Sequence, residues 1–217
     1  RQGGGAWLPT RGRGGGEQGP IERRGGGGNV ADLIMLDTRL EGRDRGFEYG
    51  KDMVYLPQID ADEPRKPDLD AFRTNLQDPS RTLLGAKQER WLSDSVAQST
   101  SRGATWQVLG QQVLMGNVGI PTISESALAE SEMSEQRKKY AAFMQALGTQ
   151  GLPLNLDAWD GYPACRERIA QMLADTKANT VALAGDTHNA WAFDLSDSKQ
   201  RPIGVEVGTP GISSPGM

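Results

Sequence analysis

The single histidine of the 217-residue chain, His188, lies two positions after Asp186. A carboxylate and an imidazole at this spacing leave the same face of an extended backbone, as an oxygen ligand and a nitrogen ligand of a metal site would. The pair follows an apolar run, residues 181–184, which is typical of a strand buried on both faces. Ligands of open α/β folds bind just beyond the carboxyl ends of such strands, so the position favours a metal site. The same residues also fit an ordinary turn in which Asp186 bonds its own backbone, and spacing alone does not decide between the two.

A second apolar run, residues 30–36, predicts another buried strand, and Asp37 and Arg39 follow at its carboxyl end. A guanidinium offers a planar pair of donors that fits the oxygens of phosphate, so Arg39 is a candidate phosphate-binding residue. The competing interpretation is a salt bridge from Arg39 to Asp37, Glu41 or Asp44.

Periodic patterns predict the elements that would position these residues. One helix is predicted from a cap at Ser80 or Thr82 to about residue 100, and a second from about 126 to 147. A third begins near Pro163 and leads into the strand at residue 180, an order that favours parallel strand pairing. The long stretch 41–79 is rich in charge and proline, and a functional lid, an irregular excursion and disorder all stay open for it. Further strands are predicted at residues 106–109, 112–115, 191–195 and 203–207.

Six segments, in order along the chain, resemble signatures of the PhoD-like alkaline phosphatases and phosphodiesterases, a branch of the calcineurin-like metallophosphatases. In that family the Gly-Asp-x-His of the fifth segment contributes metal ligands. The segments are residues 34–39, 84–92, 106–113, 157–163 with Arg166, 185–192 and 206–215.

The resemblance implies an α/β fold that is part of a two-sheet sandwich flanked by helices, with residues 29–217 as the carboxyl-terminal part of the catalytic domain. It implies metal-dependent hydrolysis of phosphate monoesters or diesters, with calcium and iron as cations, and a periplasmic or secreted location. Asp186 and His188 would be metal ligands. Arg39, Asp160 and Trp191 would support them.

The family takes its other metal ligands from segments before residue 34, and residues 1–28 contain no aspartate, cysteine, tyrosine or histidine. We therefore expect those ligands outside this chain, and the chain alone to be an inactive and poorly soluble fragment, with unpaired edges on the strands at residues 34 and 181. Two other functions stay open. One is a non-catalytic fragment or binding domain that keeps the scaffold, and the other is a nuclease or phosphodiesterase of the same superfamily.

Composition and net charge limit the classes of partner that the chain is expected to bind. The net charge of −4 and the pI of about 5.2 give no electrostatic reason to expect nucleic acid, and no apolar run is long enough to span a membrane. Residues 1–28 hold 12 of the 28 glycines and no signal peptide, and they predict disorder; RNA binding by an arginine-glycine tail is the alternative. The one cysteine, Cys165, is expected to pack in the core.

Overall fold

The structure, a computed structural model, describes residues 22–24, 30–58, 60, 62, 65–124, 126–127 and 131–211. In these residues six strands form one sheet in the order β1-β2-β3-β4-β6-β5. Strands β2, β3, β4 and β6 are parallel, and the edge strands β1 and β5 are antiparallel to their neighbours. The predicted α/β class is confirmed. The strands are β1 (Glu22–Arg24), β2 (Ala31–Met35), β3 (Trp106–Gly110), β4 (Thr180–Ala184), β5 (Trp191–Ser196) and β6 (Pro202–Gly208).

The long helices lie where the sequence predicts them, with differences at their starts. The first begins at Gly85 with Leu84 as its N-cap residue, and so later than the predicted cap at Ser80 or Thr82; Thr82 Oγ1 accepts the Gly85 backbone N–H at 2.8 Å. Pro163 begins the third, as predicted. The second begins at Glu135, where Ser134 accepts the N–H of Arg137, and so starts later than predicted. The helices are α1 (Tyr49–Asp52), α2 (Leu69–Leu76), α3 (Gly85–Ser101), α4 (Glu135–Thr149) and α5 (Pro163–Asp175), with a 3-10 helix at Trp159–Gly161.

One sequence prediction of local structure is wrong, and one stretch that the sequence left open contains helices. Residues 112–115 form no strand, because β3 ends at Gly110 and the chain then bends away from the sheet. The stretch 41–79, for which the sequence left three alternatives open, contains α1 and α2.

One face of the sheet carries the main core. Ile34, Leu109 and Ala182 project from neighbouring strands and pack with Leu92 of α3 and Leu173 of α5. Such burial of large aliphatic side chains stabilises the fold by about 1.5–3 kcal/mol for each. A smaller cluster joins α2 and α4 beside it.

Cys165 belongs to this core, as predicted. Its thiol is fully buried and contacts Glu89 Oε1 at 3.2 Å. Burial raises the pKa of the Cys165 thiol, which makes it a poor nucleophile.

The other face of the sheet is apolar and open to solvent. One cross-strand row consists of Leu33, Val108, Val181 and Val205, and the next of Met35, Gly110, Leu183 and Val207. Leu183, Val205 and Val207 are 43%, 42% and 41% exposed. The prediction that these strands are buried on both faces is therefore wrong for the described residues. We call these two rows the open face.

The strand edges also differ from expectation. β2 lies between β1 and β3, and β4 lies between β3 and β6, so neither the strand at residue 34 nor the strand at residue 181 has an unpaired edge. Within residues 1–28 the structure describes only β1, which pairs with β2, so the prediction of disorder for the others lies outside the described residues. No helix in the described part of the chain is both long enough and apolar enough to cross a bilayer.

Candidate functional site

Three segments meet at the carboxyl ends of the parallel strands. They are residues 37–39 after β2, 111–112 after β3 and 185–188 after β4. Backbone hydrogen bonds tie the last two together, from Gln111 N to Leu183 O at 2.9 Å and from Gly185 N to Gln112 O at 3.3 Å. This edge is where open parallel sheets place their ligands.

The turn after β4 is strained at Asp186 and His188. Their φ angles are 72° and 62°, in the left-handed region that costs a residue other than glycine about 1–3 kcal/mol. The Thr187 N–H donates to Gly185 O at 2.9 Å, which closes a γ-turn around Asp186, and γ-turns with a positive central φ are rare. The extended backbone assumed from spacing is therefore wrong. Strain that the surrounding structure maintains is a feature of functional sites.

Both predicted ligands are nevertheless accessible. The side chains of Asp186 and His188 are exposed, and Thr187 between them is buried. The alternative from the sequence was an ordinary turn in which Asp186 bonds its own backbone. The observed contact is different, because Asp186 Oδ1 accepts from the Arg39 guanidinium.

Trp191 anchors this turn. Its indole Nε1–H donates to Thr187 Oγ1 at 2.8 Å. Its ring stacks on Phe193, with centroids 5.7 Å apart and planes inclined by 11°. Trp191 thus fixes the residue between the two candidate ligands and does not reach them through any hydrogen bond of its own.

Arg39 bridges two carboxylates. Its Nη1 donates to Asp157 Oδ2 at 2.5 Å and its Nη2 to Asp186 Oδ1 at 2.8 Å. Burial lowers the pKa of Arg39, but the hydrogen bond and charge of Asp157, with those of Asp186, outweigh it, so the pKa is raised. The competing interpretation named the wrong partners. Asp37 instead closes an Asx turn, accepting the backbone N–H groups of Arg39 and Leu40 at 2.8 Å each.

Sequence reasoning missed the residues that hold Arg39. Asp157 contacts Arg43 as well, and Arg43 also bonds the Tyr162 hydroxyl at 3.0 Å. Arg39 and Asp157 are 118 positions apart, so no local pattern links them. The one available signal is that Asp157 opens a segment that resembles a family signature.

Two glutamines fix the backbone that carries Arg39. Gln112 Oε1 accepts from the N–H and the hydroxyl of Thr38, at 2.8 and 2.6 Å. Gln88 Oε1 accepts the N–H of Asp37 at 2.8 Å. Gln112 is thus a structural amide, which is one of the roles open to it from the sequence.

Asp160, the third predicted supporting residue, contacts a different part of the molecule. Its buried carboxylate accepts the Val118 N–H at 2.9 Å and lines a pocket of about 360 Å³ with Asn117, Ile120 and Pro153. Burial, against the hydrogen bond from Val118, raises the pKa of Asp160 to about 6. No hydrogen bond joins it to Arg39, Asp186 or His188 among the described residues. It holds the loop after β3.

Glu206 holds the same loop from the sheet side. It is fully buried, and its carboxylate accepts the backbone N–H groups of Met115 at 2.8 Å and Gly116 at 2.7 Å. Burial raises the pKa of Glu206 despite these hydrogen bonds. The loop is therefore attached by two buried carboxyl groups.

Asp160→Asn is expected to flatten part of the pH dependence of stability. The pKa of Asp160 is about 6 in the folded protein and 3.8 in the unfolded chain. At pH values between these two, Asp160 keeps its proton in the folded protein, whereas the unfolded chain has lost it. Its contribution is complete below the unfolded pKa and is lost as pH rises through the folded pKa. Urea unfolding from about pH 4 to pH 7 should show a smaller loss of stability in the variant than in the wild type. Equal losses in both would contradict the prediction, and Asp70→Asn, at a carboxylate that is 95% exposed, is the control.

The described residues include side chains of the types that bind metal ions, but they bring too few of them together to complete a site. Asp186 and His188 offer an oxygen and a nitrogen donor beside each other in the chain, a combination that suits several cations. Within the described ranges no group of three or more His, Cys, Asp and Glu side chains is placed to hold a metal ion. A metal held here would need further ligands besides these two.

The fold and this edge define an α/β protein with a polar site beyond its parallel strands. The chain matches the family model described as PhoD-like phosphatase over residues 5–217, and it therefore belongs to the PhoD-like phosphatase family. It is 30% identical over 195 residues to alkaline phosphatase D of Bacillus subtilis (strain 168), across 87% of this chain and 25% of that protein. The chain thus spans about a quarter of the length of that curated relative. The family match begins well before residue 29, where the sequence motifs placed its start.

Proposed function

We propose that this chain takes part in the metal-dependent hydrolysis of phosphate monoesters or diesters, with Asp186 and His188 as two of the metal ligands. The observation that carries the proposal is the strained turn after β4, which exposes both side chains. A left-handed aspartate and a left-handed histidine in one turn cost stability. Holding a cation is a function that would maintain them, and the family of this chain acts on phosphate esters.

The chain's own residues have distinct roles in this proposal. Asp186 and His188 hold the cation, Trp191 holds the turn that carries them, and Arg39 presents its guanidinium to the phosphoryl oxygens. Bound cations would supply Lewis acidity toward those oxygens and activate the attacking water. Arg39 suits its role because its side chain is 35% exposed beside the Asp186 carboxylate.

Calcium and iron are the cations that we propose on the family resemblance. A carboxylate oxygen suits calcium and an imidazole nitrogen suits iron. On the same resemblance we propose a periplasmic or secreted location. The alkaline phosphatase D of Bacillus subtilis supports the substrate class by its name, and we propose phosphate esters as the substrates of this protein as well.

The test is hydrolysis of p-nitrophenyl phosphate, and of its diester, by a protein that carries this chain together with the further metal ligands. Hydrolysis should disappear with a chelator and return when calcium and iron are added together. Asp175→Asn, at an exposed ion pair with Arg201, is the matched control and should leave hydrolysis unchanged. Hydrolysis that survives the chelator, or a return with no added cation, would disprove metal dependence.

Trp191→Phe is expected to weaken metal binding at the turn about tenfold, because groups that orient metal ligands typically contribute 10- to 100-fold to affinity. Phenylalanine keeps an aromatic ring that can stack on Phe193, but it loses the hydrogen bond from the indole N–H to Thr187. In a protein that carries this chain together with the further metal ligands, the imidazole NMR signal of His188, assigned by its absence from His188→Asn, reports a Zn²⁺ titration. Trp106→Phe, at the other end of the strands, is the control. Equal affinities for Trp191→Phe and wild type would leave Trp191 with a packing role only.

A further inference from the structure

We propose that Asp157 is a positioning residue that limits how strongly Arg39 competes with a metal ion for the Asp186 carboxylate. The inference rests on the proposed function, because it takes Asp186 as a metal ligand. Nothing in the sequence patterns assigns this role to Asp157.

Asp157 binds two arginines through different oxygens. Its Oδ2 accepts from Arg39 Nη1 at 2.5 Å, and its Oδ1 accepts from Arg43 Nη2. Burial works to raise the pKa of Asp157, but the hydrogen bond from Arg39 and the charges of both arginines hold that pKa below its usual range. Asp157 is therefore charged at neutral pH and holds Arg39 by a charge-assisted bond.

Arg43 makes this hold rigid. Its side chain is 10% exposed, and it donates to the Tyr162 hydroxyl, the Thr38 carbonyl and the Asp157 carbonyl at 3.0 Å each. Its guanidinium also lies 5.3 Å from the centre of the Tyr162 ring. Tyr162 is fully buried. Asp157, itself half exposed, is thus fixed from behind by a buried arginine and cannot follow Arg39.

Because Asp157 binds one nitrogen of Arg39, Arg39 contacts only one of the two carboxylate oxygens of Asp186. Arg39 donates to Asp186 Oδ1 only, and among the described residues no hydrogen bond reaches Oδ2. Arginine and carboxylate prefer a bidentate pairing in which both oxygens accept. Arg39 cannot reach that geometry while its other nitrogen is bound to Asp157. Without Asp157, the Arg39 guanidinium can donate to both oxygens of Asp186 and so exclude a metal cation from them.

The experiment is a double-mutant cycle on Zn²⁺ affinity in a protein that carries this chain together with the further metal ligands, measured through the NMR signal of His188, which is assigned by its absence from His188→Asn. Asp157→Asn should weaken Zn²⁺ binding about tenfold, the lower range for lost partners of a ligand. Arg39→Gln should bind Zn²⁺ at least as tightly as the wild type, because the competing cation is gone. The double variant should match Arg39→Gln, so removing Arg39 rescues the loss at Asp157.

The outcomes separate positioning from structural damage. If Asp157→Asn weakens Zn²⁺ binding equally with and without Arg39, the role is structural and the proposal fails. If Asp157→Asn binds like the wild type, the proposal also fails. Asp175→Asn is the matched control, because Arg201 bridges Asp175 and Asp197 as Arg39 bridges Asp157 and Asp186, and it should leave Zn²⁺ affinity unchanged.

The proposed function fails in a different way. If Zn²⁺ leaves the wild-type His188 signal unmoved, the metal assignment is wrong, and this inference is overturned with it. If the wild type responds and the cycle is additive, the metal assignment stands and only the role of Asp157 is lost. Thermal unfolding of the four proteins of the cycle and of the Asp175→Asn control shows whether each is folded under the titration conditions.

Discussion

Asp186→Asn and His188→Ala are each expected to lower phosphate-ester hydrolysis at least about 100-fold in a protein that carries this chain together with the further metal ligands, since a bound metal contributes several kcal/mol to transition-state stabilisation. Thermal unfolding should change little. Both side chains are exposed, so their loss removes no core packing. The measurement is kcat and KM for p-nitrophenyl phosphate beside the unfolding midpoint of each variant.

The left-handed backbone dictates a companion variant. At φ 62° alanine is strained, whereas asparagine tolerates this region, so His188→Asn tests the ligand without adding backbone strain. It should lose activity as completely as His188→Ala and be at least as stable. Normal turnover in Asp186→Asn or in His188→Asn would refute the ligand assignment.

The strands and helices could be predicted because their signals are local. Apolar runs before residues 37 and 185 predicted β2 and β4, and Pro163 predicted the start of α5. The helix before β4 gave the parallel pairing with β3 that the structure has. Each of these signals lies within a few residues of the element that it predicts.

The site could be predicted only in part, because its contacts are long-range. Asp186 and His188 could be named from one motif, but their strained backbone could not, since φ at a turn depends on what the surrounding structure enforces. The partners of Arg39 come from segments after α4 and after β4. A salt bridge to a sequence neighbour was the only alternative that local spacing could offer.

The open face shows a different limit of sequence reasoning. A continuous apolar run predicts that both faces of a strand are covered, and the sequence of β4 has such a run. In the described residues helices cover one face only, and Leu183 on the other is 43% exposed. The apolar run of β4 therefore predicts a layer over the open face, and the described residues do not form that layer.

The 217-residue chain expressed alone is expected to self-associate and to show no phosphatase activity. The expected cause is the open face and not the unpaired strand edges predicted from the sequence, because β2 and β4 are paired on both sides. Contiguous apolar patches of this kind recruit other molecules. We expect no activity because the family resemblance implies further metal ligands outside this chain. Size-exclusion chromatography with light scattering, beside an assay on p-nitrophenyl phosphate, measures both properties.

Lysine substitutions identify the surface responsible. Leu183→Lys and Val205→Lys place charge on adjoining rows of the open face and should shift the chain toward the monomer. Leu56→Lys is the matched control, because Leu56 is exposed to a similar degree, 47%, and lies in the loop after α1. Equal association in all three variants would show that another surface is responsible. A wild-type monomer with hydrolysis that a chelator removes and added cation restores would overturn the prediction, and would mean that these residues form a complete metal site.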